Sequence, residues 1–167
     1  KRDMEKVNIR RNKIWKLASV LLLLIFGIVF SVSGAAEAAQ NTVGEDGAWS
    51  LNLNTGELTV ETDIKASGLQ QTYPWSDYRD DIKKVTITGN ATCAVGFSGC
   101  ENLSLAVLSN KVTEIGMDAF GECTALKSIT IPVSVTEIGA AAFYGSGLTS
   151  ITLPDSVTEV GPGTFQN

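Results

Sequence analysis

Histidine is absent from all 167 residues, and cysteine occurs three times, at Cys93, Cys100 and Cys123. The first absence removes Ser-His-Asp and Cys-His catalysis and most zinc and copper sites, which need an imidazole to move a proton or ligate a metal. The second, an odd and low count, argues against the disulfide framework that small exported domains use. No cysteine stands just after the apolar N-terminal run, where a lipid would be attached. Positive charge is also scarce. Seven of the 13 Lys and Arg lie in the first 38 residues beside three acidic ones, which leaves six basic and fifteen acidic side chains in the remaining 129, a net charge of −9. Such a surface repels phosphate backbones and gains nothing from counterion release, so no nucleic-acid partner is expected. Anionic membrane surfaces are disfavoured for the same reason.

The first 38 residues read as an export signal. A basic stretch (Lys6, Arg10, Arg11, Lys13, Lys16) precedes the sixteen-residue, largely apolar run Leu17–Val32, and then come the small residues of "SGAAEAA". That order is the order of a secretory signal peptide, with Ala36 and Ala38 placed for cleavage after Ala38. The alternative is an uncleaved anchor, but the run is short against the roughly 20 residues that span a bilayer. A secreted or cell-surface location is expected, with membrane contact only through this segment if it stays attached.

What remains is repetitive. "VTEIG" stands at Val112–Gly116 and again at Val135–Gly139, and "VTEVG" follows at Val157–Gly161. Phe97, Phe120, Phe143 and Phe165 recur at intervals of 23, 23 and 22 residues. Leu103, Ala106, Leu108, Val112 and Ile115 correspond to Leu126, Ile129, Ile131, Val135 and Ile138, and again to Leu148, Ile151, Leu153, Val157 and Val160. An earlier copy starts at Ile82 with Val85 and Ile87, is about two residues shorter before Phe97, and lacks a recognisable "VT" segment. A fixed period with this many matched positions means a stacked array. Each unit reads as a strand ("LKSITIP", "LTSITLP") ended by Pro132 or Pro154, then a short extended "VTEIG". Gly116, Gly139 and Gly161 are expected to turn the chain, and "DAF" or "AAAF" to form a single helical turn that drops the Phe inward. No unit can bury its Leu, Ile, Val and Phe alone, whereas stacked neighbours bury them together.

The pattern L-x-x-I-x-I-P-x-S-V-T-x-I-G-x-x-A-F-x-x-C resembles the BspA-like leucine-rich repeats of bacterial surface and secreted proteins, over roughly Ile82–Asn167. The resemblance implies a β-rich leucine-rich-repeat solenoid with a parallel strand per repeat of about 23 residues. Residues 39–81 resemble the family's N-terminal segment, and residues 82–167 hold about four repeats, the first degenerate and the last cut short. "WSLNLNTGELTV" alternates Trp49, Leu51, Leu53, Leu58 and Val60 around Asn54–Gly56, which reads as a hairpin. The Pro-Trp of "YPWSDY" recurs in relatives at this place. Tyr73, Trp75 and Tyr78 either stack on a sugar or cover the open apolar end that every solenoid must cap.

Candidate chemistry is thin. Glu114, Glu137 and Glu159 fall on stacked positions, but each is a lone carboxylate beside Thr, without the Asp/Asn spacing of a calcium loop. Cys100 and Cys123 each follow a repeat Phe by three residues, so a disulfide between rungs is open. In the resembled family this Cys is a small buried filler. Asp77, Asp80 and Asp81 lie beside Arg79, Lys83 and Lys84 and read as a solvated turn rather than a glycosidase pair. No catalytic, cofactor-binding or metal-ligating residues are expected. If the repeat isoleucines face in, Ser128, Thr130, Ser150 and Thr152 face out, and Lys84, Thr86, Leu105 and Val107 extend the same columns. This sheet is the expected partner surface, for an extracellular protein or glycan. The resemblance implies adhesion. The alternative function is a targeting module for a cell-wall hydrolase or peptidase domain lying downstream, since "GTFQN" stops directly after a repeat Phe.

Overall fold

The computed structural model describes residues 42–45, 47–64 and 72–167. The leader and its cleavage position lie outside them. The described chain begins with three short strands, β1 (Thr42–Glu45), β2 (Trp49–Asn52) and β3 (Glu57–Val60), and a 3-10 helix at Ser76–Asp81. Next come β4 (Lys84–Ile87), β5 (Cys93–Ala94) and β6 (Leu105–Leu108), then one two-residue strand per repeat: β7 (Glu114–Ile115), β8 (Glu137–Ile138) and β9 (Glu159–Val160).

Two sheets result. One runs β1-β2-β3-β4-β6, antiparallel within the N-terminal strands and parallel from β3 to β4 to β6. The other is the fully parallel β5-β7-β8-β9. The hairpin is therefore more than a lid. Its β3 pairs directly with β4, and the alternation that buries Leu51, Leu58 and Val60 continues as Val85 and Ile87 in the repeats. β1 was not foreseen.

The core is a set of columns, one residue per rung. Leu103 lies over Leu126, Val112 over Val135 and Ile115 over Ile138, all buried. Phe97, Phe120, Phe143 and Phe165 stack with ring centroids 5.3–5.7 Å apart. Trp75 continues that column upward at 5.7 Å from Phe97, and Tyr73 stacks on Trp75 at 5.5 Å. Trp75 is buried and its Nε1 donates to Gly96 O at 2.8 Å, so it is a cap and offers no face to a sugar.

The degenerate first repeat is complete where it seemed deficient. Ala91-Thr92-Cys93-Ala94 occupies the "VTEI" place, because Cys93 pairs with Glu114 and Ala94 with Ile115, and Ala91 and Ala94 are buried. The two missing residues fall later, in the turn before Phe97. Tyr73 uses that space: a Cβ on Gly96, whose φ is +90°, would lie 2.6 Å from its ring.

Three expectations change. The "VTEIG" glycines are not turn formers, since none has a positive φ. Gly139 and Gly161 are bare because the preceding rung's backbone passes too close for a side chain. The left-handed positions sit instead two residues before Phe120, Phe143 and Phe165, at Asp118 (φ 56°), Ala141 (55°) and Gly163 (69°), and two after Phe97, Phe120 and Phe143, at Gly99 (72°), Glu122 (56°) and Gly145 (60°). These break any helical turn, so "DAF" and "AAAF" form hydrogen-bonded turns whose N–H groups donate to the next rung, as Phe120 N does to Ala142 O at 2.8 Å. Finally, Ser128–Ile131 and Ser150–Leu153 do not join the first sheet, which ends at β6. Pro132 and Pro154 aside, the N–H groups of residues 127–134 and 148–156 make no hydrogen bond to any described residue, and main-chain bonding between the later rungs is concentrated on the "VTEIG" and Phe sides.

An L-residue in the left-handed region is strained by roughly 1–2 kcal/mol. Ala141→Gly is therefore expected to stabilise the chain by about 0.5–1 kcal/mol after the added freedom of the unfolded state is subtracted, a rise of roughly 3 °C in Tm. A lower Tm would show that Ala141 is not strained.

Candidate functional site

The face away from the core is set by register. Glu57, Lys84 and Leu105 stand side by side, as do Thr59, Thr86 and Val107, and both columns run back through Asn52 and Ser50 of β2 to Thr42 and Gly44 of β1. Leu105 and Val107 are 47% and 43% exposed, an apolar spot amid hydroxyls. Ser128, Thr130, Ser150 and Thr152 are all exposed beyond it, and Ile131 is buried while Ile129, Ile151 and Leu153 pack half-buried against the core. A shallow groove of ≈ 340 Å³ runs over these two segments to Pro154.

Of the eight residues expected on the partner face, register brings Lys84, Thr86, Leu105 and Val107 together on the sheet, and Ser128, Thr130, Ser150 and Thr152 together line the groove. The residues that sequence reasoning missed are Ser50, Asn52, Glu57 and Thr59. Their signal was the period-2 alternation of the hairpin itself, which places them on whichever face Leu51 and Leu58 leave. Lys84 is not free to meet a partner's carboxylate: its Nζ lies 2.7 Å from Glu57 Oε1. The side chains are 39% and 41% exposed, and a pair so open to water contributes at most about 1 kcal/mol. The face is consequently near neutral within an acidic chain.

The opposite side is structural. Thr113, Thr136 and Thr158 do not merely face water. Each amide and hydroxyl donates to the carbonyl of the corresponding Thr one rung earlier, at 2.8–2.9 Å from N and 3.3–3.4 Å from Oγ1. Asp63 ends this ladder at the top. Its carboxylate accepts from Thr92 N (2.7 Å), Thr92 Oγ1 (2.7 Å) and Cys93 N (3.0 Å), the groups that an earlier rung would satisfy. Burial pushes the Asp63 carboxyl upward, but these three donors outweigh it and hold it below its usual range. The column Glu114, Glu137, Glu159 is in register, and no grouping of three acidic, Cys or His ligands fit for a metal occurs among the described residues.

The acidic knot disperses as well. Asp77, Asp80 and Asp81 lie on the 3-10 helix, Arg79 turns back to Ser76 Oγ at 3.4 Å, and Lys84 belongs to the sheet. The cysteines are thiols: Cys100 and Cys123 are buried and Cys93 is half-buried. Burial, with nearby carboxylates for Cys93, raises each to about 12, far from a nucleophile's range.

A family model for the BspA type leucine-rich repeat region (6 copies) matches residues 82–167. Among solved structures, a leucine-rich repeat protein from Bacteroides ovatus aligns with a TM-score of 0.52 at 24% identity, over 74% of this chain and 35% of its own. One from Eubacterium ventriosum gives 0.52 at 25% identity, over 67% and 37%. A leucine-rich repeat protein from T. pallidum gives 0.53 at 22%, over 74% and 66%. These likenesses are of fold. The chain spans little more than a third of the length of the first two. Comparison with curated proteins gave no match.

Proposed function

The chain belongs to the BspA-type leucine-rich repeat family, and from that premise we propose that it is an exported, non-enzymatic binding module that holds a protein or glycan outside the cell on its β2-β3-β4-β6 face. One observation carries the reading: the exposed Leu105/Val107 pair sits on the last strand of a near-neutral, hydroxyl-lined sheet face of an otherwise acidic molecule. An exposed apolar anchor beside polar groups is a common feature of interaction sites. The lack of histidine and the unreactive thiols support a role without catalysis.

The test is adhesion of cells displaying the full chain. Leu105→Asp with Val107→Asp is expected to reduce adhesion at least tenfold, because a charge buried at an interface centre must be desolvated without a partner. Both side chains are exposed, so folding, checked by circular dichroism, is expected to be kept. Unchanged adhesion by a folded variant would remove this face from the account. A second reading, a targeting module beside a cell-wall hydrolase or peptidase domain, is favoured by the greater length of the structural relatives. The coding sequence beyond Asn167 distinguishes the two.

A further inference from the structure

The stacked cysteines share one acceptor. Phe97 O receives the amide of Cys100 at 3.1 Å and the thiol of Cys123 at 3.2 Å. The Cys123 sulfur therefore reaches up out of its own turn into that of Cys100, one rung earlier. Rungs joined by main-chain hydrogen bonds, as these are through Phe97 N to Ala119 O and Gly99 N to Gly121 O, lie at about the 4.8 Å spacing of paired strands. That is inside the Cα range a disulfide tolerates. Cys93 is elsewhere, in β5 beside Glu114 and Asp63, and the next rung carries Ser146 at the matching place.

We infer that Cys100 and Cys123 form a redox latch, closing to a disulfide that ties the first rung beneath the cap to the second. Closure is ordinary exchange with a protein or low-molecular-weight disulfide as oxidant. One thiolate attacks an oxidant sulfur to give a mixed disulfide, and the other displaces it. Two cysteine S–H bonds and the oxidant's S–S bond are lost, one protein S–S bond forms, and the oxidant leaves as two thiols carrying the two protons and two electrons. Both cysteines are fully buried, so the folded chain reacts only when the turn opens. The latch closes during folding in an oxidising compartment, and once closed it is shielded from reductants. A bond of this loop length confines the unfolded chain, so the oxidised form is expected to melt roughly 10 °C higher.

The full chain, purified reduced, is incubated with oxidised glutathione with and without about 2 M urea, alkylated after denaturation, digested with trypsin and weighed. The expected product joins Val85–Lys111 to Val112–Lys127, faster with urea, with a higher thermal midpoint. It persists in Cys93→Ser and disappears in Cys100→Ser. Three alkylated cysteines in the wild-type chain under both conditions, linkage through Cys93, or an unshifted midpoint of the linked form would each overturn the latch.

Discussion

Phe120→Ala is expected to lower the unfolding free energy by about 3–5 kcal/mol, the largest effect of any single side chain in the repeats. Its ring is fully buried between Phe97 at 5.3 Å and Phe143 at 5.6 Å. Truncation removes the apolar transfer term, two ring–ring contacts of about 0.5–1.5 kcal/mol each, and leaves a cavity that cannot collapse. The turns on either side are fixed by Phe97 N to Ala119 O and Phe120 N to Ala142 O hydrogen bonds, so the rungs cannot close over the gap. Phe165→Ala is the internal control. That ring is 42% exposed and, among the described residues, has one ring partner, Phe143, so its loss is expected to cost about 1–2 kcal/mol. Urea unfolding of both variants decides the matter: equal losses would mean that the column does not support the stack. A domain of this size has about 5–15 kcal/mol in total, so Phe120→Ala brings it close to the threshold of folding.

The second large effect concerns the repeated glycine. Gly139→Ala is expected to destabilise by about 3 kcal/mol, through overpacking against atoms that cannot move aside. A Cβ there would lie 2.5 Å from Met117 N and 2.7 Å from Gly116 C, both backbone. Relief requires parting two rungs held by Gly139 N to Ile115 O at 2.7 Å. Gly116→Ala makes the same change at the same place of the preceding repeat, yet its nearest contacts are side chains, Val95 at 3.0 Å and Cys93 Sγ at 3.4 Å. About 1 kcal/mol is expected there, because a side chain can shift. If the glycines served as turn formers, the two substitutions would cost alike. Denaturant midpoints of the pair separate the two explanations.

Both predictions show how much could be read without coordinates. The Phe column, its period, and the inward set Leu126, Val135, Ile138 were legible, because burial in a stacked array recurs with the repeat. The outward placing of Ser128, Thr130, Leu105 and Val107 followed from strand alternation alone. The hairpin was also legible, but its partner was not. That β3 pairs in parallel with β4 depends on a connection of more than twenty residues whose path no local pattern specifies.

The sequence by itself determined the architecture, since a 23-residue period leaves each unit with an apolar side that only a neighbour can cover. By lacking histidine, it also excluded imidazole-based catalysis and imidazole metal ligands from these 167 residues. The tertiary structure decided everything that depends on one backbone lying against another. It showed why Gly139 must be glycine, how Asp63 closes a threonine ladder that begins 29 residues later, and that the "SIT" segments stay outside the sheet. It also brought the thiol of Cys123 to the carbonyl of Phe97. Periodicity records which side chains are hidden together. Contacts between rungs are distances, and these are settled only when the whole stack is closed.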